Sequence, residues 1–141
     1  MTKDIDCEKI HKFVFSKSKA YAIFEAAVLL KTNFYFDDKV AIQFIDRQTQ
    51  TNLGVSDEDI GNITGVSQNI DCAMIGITVR EIDSNTFKIS VRTKNPISAS
   101  QFCQKFGGGG HENAAGATMN GSISNIYNRL ITEIEKSVFP K

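Results

Sequence analysis

The sequence predicts an α/β protein with a mixed β-sheet that contains a β-hairpin and is packed with helices. Apolar residues recur at helical spacing near both ends of the chain, and short alternating apolar and polar runs lie between them. Helices and strands therefore interleave, and the hairpin makes at least one strand pair antiparallel. The 141 residues are expected to form one domain of ordinary size with a real core.

The N-terminal part of the chain predicts two helices and a strand. A polar leader precedes an amphipathic helix from Ser18 to about Thr32, whose apolar positions include Ala20, Ile23, Phe24, Ala27 and Val28. The run KVAIQFI, residues 39–45, is typical of an interior strand. Ser56 and Asp59 have the spacing of a capping box and predict the start of a second helix, although Gly61 and Gly65 disfavour it.

The middle of the chain predicts the hairpin. The runs DCAMIGITVREI and TFKISVRTK flank the turn-rich residues Asp83, Ser84 and Asn85. One face would carry Ala73, Ile75, Ile77, Val79, Phe87, Ile89 and Val91, and the opposite face Lys88, Ser90, Arg92 and Lys94. If Ile82 pairs with Thr86, Gly76 lies across from Arg92 and leaves open space beside it.

Beyond the hairpin, Ser98 and Gln101 predict a second capping box and a short helix that buries Ala99, Phe102, Cys103 and Phe106. Gly107 stands where a helix end prefers a left-handed residue. The run ATM, residues 117–119, predicts a brief strand. The clearest amphipathic helix follows, with apolar residues Ile123, Ile126, Tyr127, Leu130, Ile131, Ile134 and Val138.

The run KFGGGGHENAAGA, residues 105–117, places four glycines before a histidine and several small residues. Glycines lose much backbone entropy on folding, so such a run indicates a need for unusual backbone angles or close approach. N–H groups in a tight glycine turn could converge on an anion together with His111, or the run could be a flexible connector. Small residues at 114–116 indicate that two backbones, or a backbone and a ligand, approach closely.

The amino-acid composition limits the binding partners that can be expected. Lysine plus arginine equal aspartate plus glutamate at 16 each, so a long DNA duplex is not expected and any nucleic-acid contact would be local. Three widely spaced cysteines, Cys7, Cys72 and Cys103, fit neither a disulfide framework nor a structural zinc site and favour a reducing cytoplasm. The sequence shows no signal peptide and no bilayer-spanning apolar run, so no membrane partner is expected.

Residues 107–116 resemble the G-G-G-H-x-x-A-A-G signature of the DHH-associated domain, the C-terminal substrate-binding half of Asp-His-His phosphoesterases. The run KISVRTK resembles the arginine-bearing strand of that family and VSDEDIG its acidic helix start, so the resemblance covers about residues 39–139. Among subfamilies the sequence is most similar to bacterial oligoribonucleases (nanoRNases) and 3′-phosphoadenosine 5′-phosphate phosphatases, formerly grouped with exopolyphosphatase-like proteins.

The resemblance implies a division of the chain into a linker remnant with an N-terminal helix, residues 1–34, and a DHH-associated substrate-binding domain, residues 35–141. The Asp-His-His motif and the aspartates that hold manganese in the family do not occur in this sequence. The catalytic domain is therefore expected to be absent from this chain, and with it manganese. We expect no cofactor in the chain and no hydrolysis by the chain alone.

The resemblance also implies a site. The glycine loop and His111 would hold a terminal phosphate, and Arg92 would bind a phosphate or stack on a base. The implied substrate-binding residues are Arg92, Gly107, Gly108, Gly109, Gly110, His111, Ala114, Ala115 and Gly116. Two plainer interpretations stay open: His111 caps a backbone carbonyl, and Arg92 is a solvated arginine on an exposed sheet face.

The implied partners are short oligonucleotides or a nucleotide phosphate, and the chain's own catalytic domain in the intact protein. Two other functions compete with this one. The C-terminal domain of alanyl-tRNA synthetase is similar and carries a related glycine-histidine motif, which would make this chain a tRNA-binding module. The chain could also be a regulatory or dimerising module without a ligand. The sequence indicates neither the preferred substrate nor the oligomeric state.

Overall fold

The computed structural model describes residues 6–141, and they form a six-stranded mixed sheet flanked by helices. The elements in order are α1 (Cys7–Phe15), α2 (Lys19–Leu30), β1 (Asn33–Tyr35), β2 (Val40–Ile45), α3 (Arg47–Leu53), α4 (Asp57–Ile63), a 3₁₀ turn (Val66–Asn69), β3 (Ile75–Asp83), β4 (Thr86–Thr93), α5 (Ala99–Gln104), β5 (Gly109–Gly110), β6 (Ala114–Asn120) and α6 (Ile123–Ser137). The strand order is β1-β2-β3-β4-β6-β5. Strands β2 and β3 are parallel and the other neighbours antiparallel, which confirms the predicted α/β class with a mixed sheet.

The two faces of the sheet are covered differently. Alternation along the strands sends one set of side chains into the main core, where α5 and α6 pack; this set includes Ile42, Ile77, Ile89, Val91 and Met119. The other face has a smaller core over β2 only, where Ile45 packs with residues of α2 and α4. The second face is therefore covered at its β2 side, and its β4 and β6 side is left open.

The predicted hairpin is confirmed. Strands β3 and β4 are joined at Ser84 and Asn85, and Gly76 pairs with Arg92 as expected. The assumed end of the hairpin was wrong, because Asp83 and not Ile82 pairs with Thr86. A β-bulge at Ile82 absorbs the extra residue and leaves that side chain 42% exposed, so the register beyond the bulge is unchanged.

The helix starts follow the predicted caps with two corrections. Ser18 caps α2, but the buried face consists of Tyr21, Phe24 and Val28, whereas Ile23 is 47% exposed. Ser56 and Asp59 form both bonds of the predicted capping box. Ser98 accepts the N–H of Gln101, but the return bond from the Gln101 side chain that the predicted capping box requires is not made; the Ser98 hydroxyl instead donates to the Glu112 carboxylate at 3.1 Å.

Several elements were not predicted. The polar leader contains α1, which begins at the N-cap Asp6, and α3 begins at the N-cap Asp46. The edge strand β1 crosses the predicted boundary between residues 34 and 35. The division of the chain into residues 1–34 and 35–141 stays a prediction. Strand β6 has seven residues where a brief strand was expected. Within residues 6–141, no helix is both long and apolar enough to cross a bilayer.

The C-terminal helix α6 agrees with the prediction. Its buried residues are Ile126, Leu130 and Ile134, at the spacing expected for one face of a helix. Ile123, Tyr127 and Ile131 pack at the edge of the same core. This helix covers the main-core face of the sheet and closes that face to ligands over much of its area.

The four glycines form the end of α5 and the edge strand β5. Gly107 has φ +75°, and the N–H groups of Gly107 and Gly108 donate to the Gln104 and Cys103 carbonyls, the hydrogen-bond pattern of a Schellman helix end. Gly108 then lies against β6 so closely that a Cβ there would be 2.1 Å from the carbonyl oxygen of Gly116. A Cβ at Gly109 would have no atom within 4 Å.

This contrast generates a stability prediction. Gly108→Ala should lower the free energy of unfolding by about 1–3 kcal/mol, because the added methyl group must displace the β6 backbone. Gly109→Ala should change it by less than about 1 kcal/mol, because the position is unobstructed and its φ is not left-handed. Urea denaturation of both variants measures the difference, and equal losses would contradict the described packing of β5 on β6.

Candidate functional site

The open side of the second sheet face brings most of the predicted site residues together. Residues opposite each other in antiparallel strands share a face, so the pairing defines rows across the sheet. One row contains Arg92 and Ala114, and His111 continues it through its hydrogen bonds with Ala114. The next row contains Ser90, Gly116 and Gly109. We call the surface formed by these two rows the open face.

Arg92 is half-buried at the inner end of the open face. Its Nη2 donates to the Thr64 hydroxyl at 3.3 Å and its Nη1 to the Val91 carbonyl at 3.2 Å. Both partners are uncharged. Arg80, on the neighbouring strand, instead forms an ion pair with Asp57 at 3.0 Å. The positive charge of Arg92 is thus held in place by neutral groups and stays free to bind an anion.

The open space beside Arg92 is not where the sequence placed it. A Cβ at Gly76 would lie 2.0 Å from the Ser67 hydroxyl oxygen, so Ser67 of the 3₁₀ turn occupies the space over that glycine. The space lies instead between α4 and strands β3 and β4. There a cleft of about 570 Å³ is lined by Asp57, Ile60, Gly61, Thr64, Thr78, Arg80, Lys88, Ser90 and Arg92.

Strand alternation divides the predicted glycines and alanines into two groups. Gly108, Gly110 and Ala115 face the main-core side, where Cβ atoms at the two glycines would clash with Ala117 and Ala115. Gly109, Ala114 and Gly116 face the open side. Their small size leaves the floor of the open face bare, so an approaching group could reach the backbone of β5 and β6.

His111 lies at the turn between β5 and β6 and its side chain is exposed. Its backbone N–H donates to the Ala114 carbonyl at 2.9 Å. The turn is fixed from behind by residues that the sequence reasoning missed. The Ala99 N–H donates to the Glu112 carbonyl at 2.7 Å, and the Asn113 side-chain amide donates to the Thr93 carbonyl at 3.1 Å. These bonds hold the His111 backbone beside the open face.

The expected tight glycine turn with converging N–H groups does not form. The N–H groups of Gly107, Gly108 and His111 are all used in backbone hydrogen bonds. His111 and Ala114 exchange both of their bonds, so the next pair, Gly110 and Ala115, is a non-hydrogen-bonded pair of the ladder. The Gly110 N–H therefore points away from β6 toward the open edge of the sheet, where one donor is available near His111.

The remaining chemistry of this region is that of binding. Burial raises the pKa of the Cys103 thiol to about 11, although the positive charge of Arg92 acts in the opposite direction. Cys103 is therefore a protonated core residue at neutral pH. Among residues 6–141, no three His, Cys, Asp or Glu side chains are grouped as metal ligands, so this part of the chain does not fit a manganese site.

A second cleft of about 540 Å³ lies between α5 and α6, on the main-core side of the molecule. Its lining includes Ile97, Phe102, Lys105 and Glu133. None of the residues predicted to bind substrate lines it. The lysine and glutamate offset each other in charge, and this cleft has no bare backbone floor like that of the open face.

Comparison with known proteins places these features in a family. The model of the DHHA1 domain matches residues 37–138. The bifunctional oligoribonuclease and PAP phosphatase NrnA of Thermus thermophilus is 27% identical over 84 residues, which are 59% of this chain and 26% of that protein. The chain thus spans about a quarter of the length of this relative.

Solved structures show the same fold. An exopolyphosphatase-related protein from Bacteroides fragilis has a TM-score of 0.82 at 23% identity, over 94% of this chain and 39% of that one. The C-Ala domain of alanyl-tRNA synthetase from Aquifex aeolicus has a TM-score of 0.56 at 10% identity, over 78% of this chain and 99% of that domain. Because the family model spans most of the sequence, the chain belongs to the DHHA1 domain family.

Proposed function

We propose that the open face binds a phosphate of a short oligonucleotide or nucleotide, and that the chain is the substrate-holding domain of a DHH-family phosphoesterase. The observation that carries the proposal is the position of Arg92. Its guanidinium is fixed by neutral partners, next to a floor of Gly109, Ala114 and Gly116 and in one row with His111. The relationship to the Thermus thermophilus protein, named as an oligoribonuclease and PAP phosphatase, supports a nucleotide ligand.

The groups at the open face match the requirements of a phosphate. Arginine offers several N–H donors in a planar fork, and a charge-assisted hydrogen bond to phosphate is stronger than a neutral one. The bare floor lets a phosphate come close to the sheet beside Arg92, and the exposed His111 can add a donor. These groups can neutralise only a few phosphates, so the proposed ligand is short.

The chemical step is proposed to occur on another domain. A DHH catalytic domain would supply two manganese ions that activate water, and this domain would hold the substrate across a cleft. Residues 6–141 contain no grouped metal ligands, so no step of the hydrolysis is assigned to them. We also propose that the intact phosphoesterase depends on manganese and acts in the cytoplasm.

The tRNA-binding alternative rests on the C-Ala fold likeness. A tRNA-binding surface needs many phosphate contacts, and this chain has a net charge of zero. Arg80 and Arg47 are also engaged with Asp57 and Asp83. The structure therefore favours a local phosphate contact over a long basic groove.

Arg92→Ala should weaken binding of a 5′-phosphorylated RNA of two to five nucleotides by about 1–3 kcal/mol, because a charge-assisted contact is lost. Lys88→Ala is the matched control. Lys88 lies on the same sheet face, but it is exposed and solvent screens its charge, so its removal should cost less than about 0.5 kcal/mol. Isothermal titration calorimetry of wild type and both variants gives the two values.

The same titrations at several salt concentrations test the size of the site. We expect a logarithmic salt slope of roughly −1 to −2, about 0.7 for each neutralised phosphate, and an affinity that stops rising after a few nucleotides. Equal losses for Arg92→Ala and Lys88→Ala would contradict the phosphate assignment. Affinity that climbs with length up to intact tRNA would favour the tRNA-binding alternative.

Gly109→Val should reduce RNA binding while leaving the melting temperature within a few degrees of wild type. The added side chain points to the open face, where no atom lies within 4 Å, so it blocks the ligand without disturbing the fold. Thermal melts beside a binding titration separate the two effects. Unchanged binding, or a parallel loss of binding and stability, would contradict the position of Gly109 beside the bound ligand.

A further inference from the structure

A glycine in the middle of α4 is not explained by packing. Gly61 lies inside a helix, where glycine is the least favourable residue after proline. A Cβ at this position would have no atom within 4 Å, and its φ is not left-handed, so the fold would accept a side chain. Gly61 instead lines the cleft beside Arg92. The absent side chain keeps this cleft open.

The composition of the cleft suits an uncharged, partly apolar group. Ile60 of α4 contributes an apolar wall, and Ser90 contributes a hydroxyl group from β4, whereas the hydroxyl of the buried Thr78 donates to the Gln43 side chain. At the far end from Arg92, Arg80 and Asp57 already bind each other at 3.0 Å. The ion pair leaves the exposed and solvent-screened amine of Lys88 as the further charge at this end, and the remaining donors and acceptor of Arg80 and Asp57 can contact a heterocycle.

The length of the cleft fits one nucleotide. Arg92 pairs with Gly76, and Lys88 pairs with Arg80 four residues farther along β3. At roughly 3.3 Å per residue, the two ends are about 13 Å apart. This distance is comparable with the span of a nucleotide from its phosphate to the far edge of its base, and the volume of about 570 Å³ has room for a nucleoside.

We propose that the cleft between α4 and strands β3 and β4 holds the sugar and base of the nucleotide whose phosphate Arg92 binds, and that Gly61 is the residue that admits them. This inference rests on the proposed function, since it takes the phosphate position from it. The base lies against the bare helix surface at Gly61 and Ile60, and its far edge meets Arg80 and Asp57. The cleft therefore contributes affinity for nucleotides over simple sugar phosphates.

Gly61→Leu is the direct test, because leucine fills the cleft and favours a helix. We expect the dissociation constant of adenosine 5′-monophosphate, followed by amide chemical shifts, to rise roughly tenfold or more, whereas that of ribose 5-phosphate changes less than about twofold. Gly65→Leu is the matched control, since Gly65 lies just after α4, at the start of the 3₁₀ turn, and outside the cleft lining. It should change neither constant by more than about twofold.

The results separate this inference from the proposed function. If Arg92→Ala weakens both probes but Gly61→Leu weakens neither, or weakens both equally, the cleft does not hold the base. If Arg92→Ala leaves both probes unchanged, the phosphate assignment fails and the cleft assignment fails with it. A melting temperature of Gly61→Leu at or above that of wild type shows that the loss comes from the filled cleft and not from unfolding.

Discussion

The close approach of strand β5 to strand β6 is the constraint on which the rest of the site depends. Side chains at Gly108 and Gly110 would overlap the β6 backbone, so the edge of the sheet is built from backbone alone. Since side chains alternate across a strand, fixing these two glycines on the core side places Gly109 on the open side, opposite Gly116. The same packing fixes the turn that carries His111 beside Ala114.

The helices cover the two sheet faces unequally, and this leaves the β5 and β6 edge accessible to a ligand. Helices α5 and α6 fill one face completely enough to form the main core, and the smaller core beneath α2 and α4 stops at β2. Helix α4 therefore does not cover β4, and a cleft remains between this helix and strands β3 and β4. Arg92 lies where the cleft meets the open face, and Thr64 of the same helix segment fixes its guanidinium.

Much of this arrangement could be predicted from the sequence because it depends on local patterns. The alternation of apolar and polar residues predicted which sheet face carries Arg92. The assumed hairpin register also predicted that Arg92 lies across from Gly76, although the bulge at Ile82 was not foreseen. A β-bulge adds one residue to one strand, and the period of apolar residues does not show where that extra residue lies. The helix in the leader was also missed, because the leader was interpreted as polar; α1 is in fact amphipathic, although none of its side chains is buried.

The details of the site could not be predicted because they depend on contacts between distant segments. Ser67 fills the space over Gly76 from a 3₁₀ turn that no sequence pattern indicated. Glu112 and Asn113 occupy the two unspecified positions of the glycine-histidine motif, yet they fasten the turn to α5 and β4 through bonds across 13 and 20 residues. Gly109 and Gly110 are extended because they pair with β6. They therefore form an edge strand and not the expected anion-binding turn.

The most direct test of the central claim is a map of amide chemical shifts during titration of the chain with a 5′-phosphorylated dinucleotide. We predict that the largest shifts belong to Gly109, Ala114, Gly116 and Thr64, together with the Arg92 side-chain Nε–H, and that the cleft between α5 and α6 stays unchanged. Shifts centred on that second cleft, or no shift on the open face at millimolar dinucleotide, would contradict the assignment of the open face as the phosphate-binding surface.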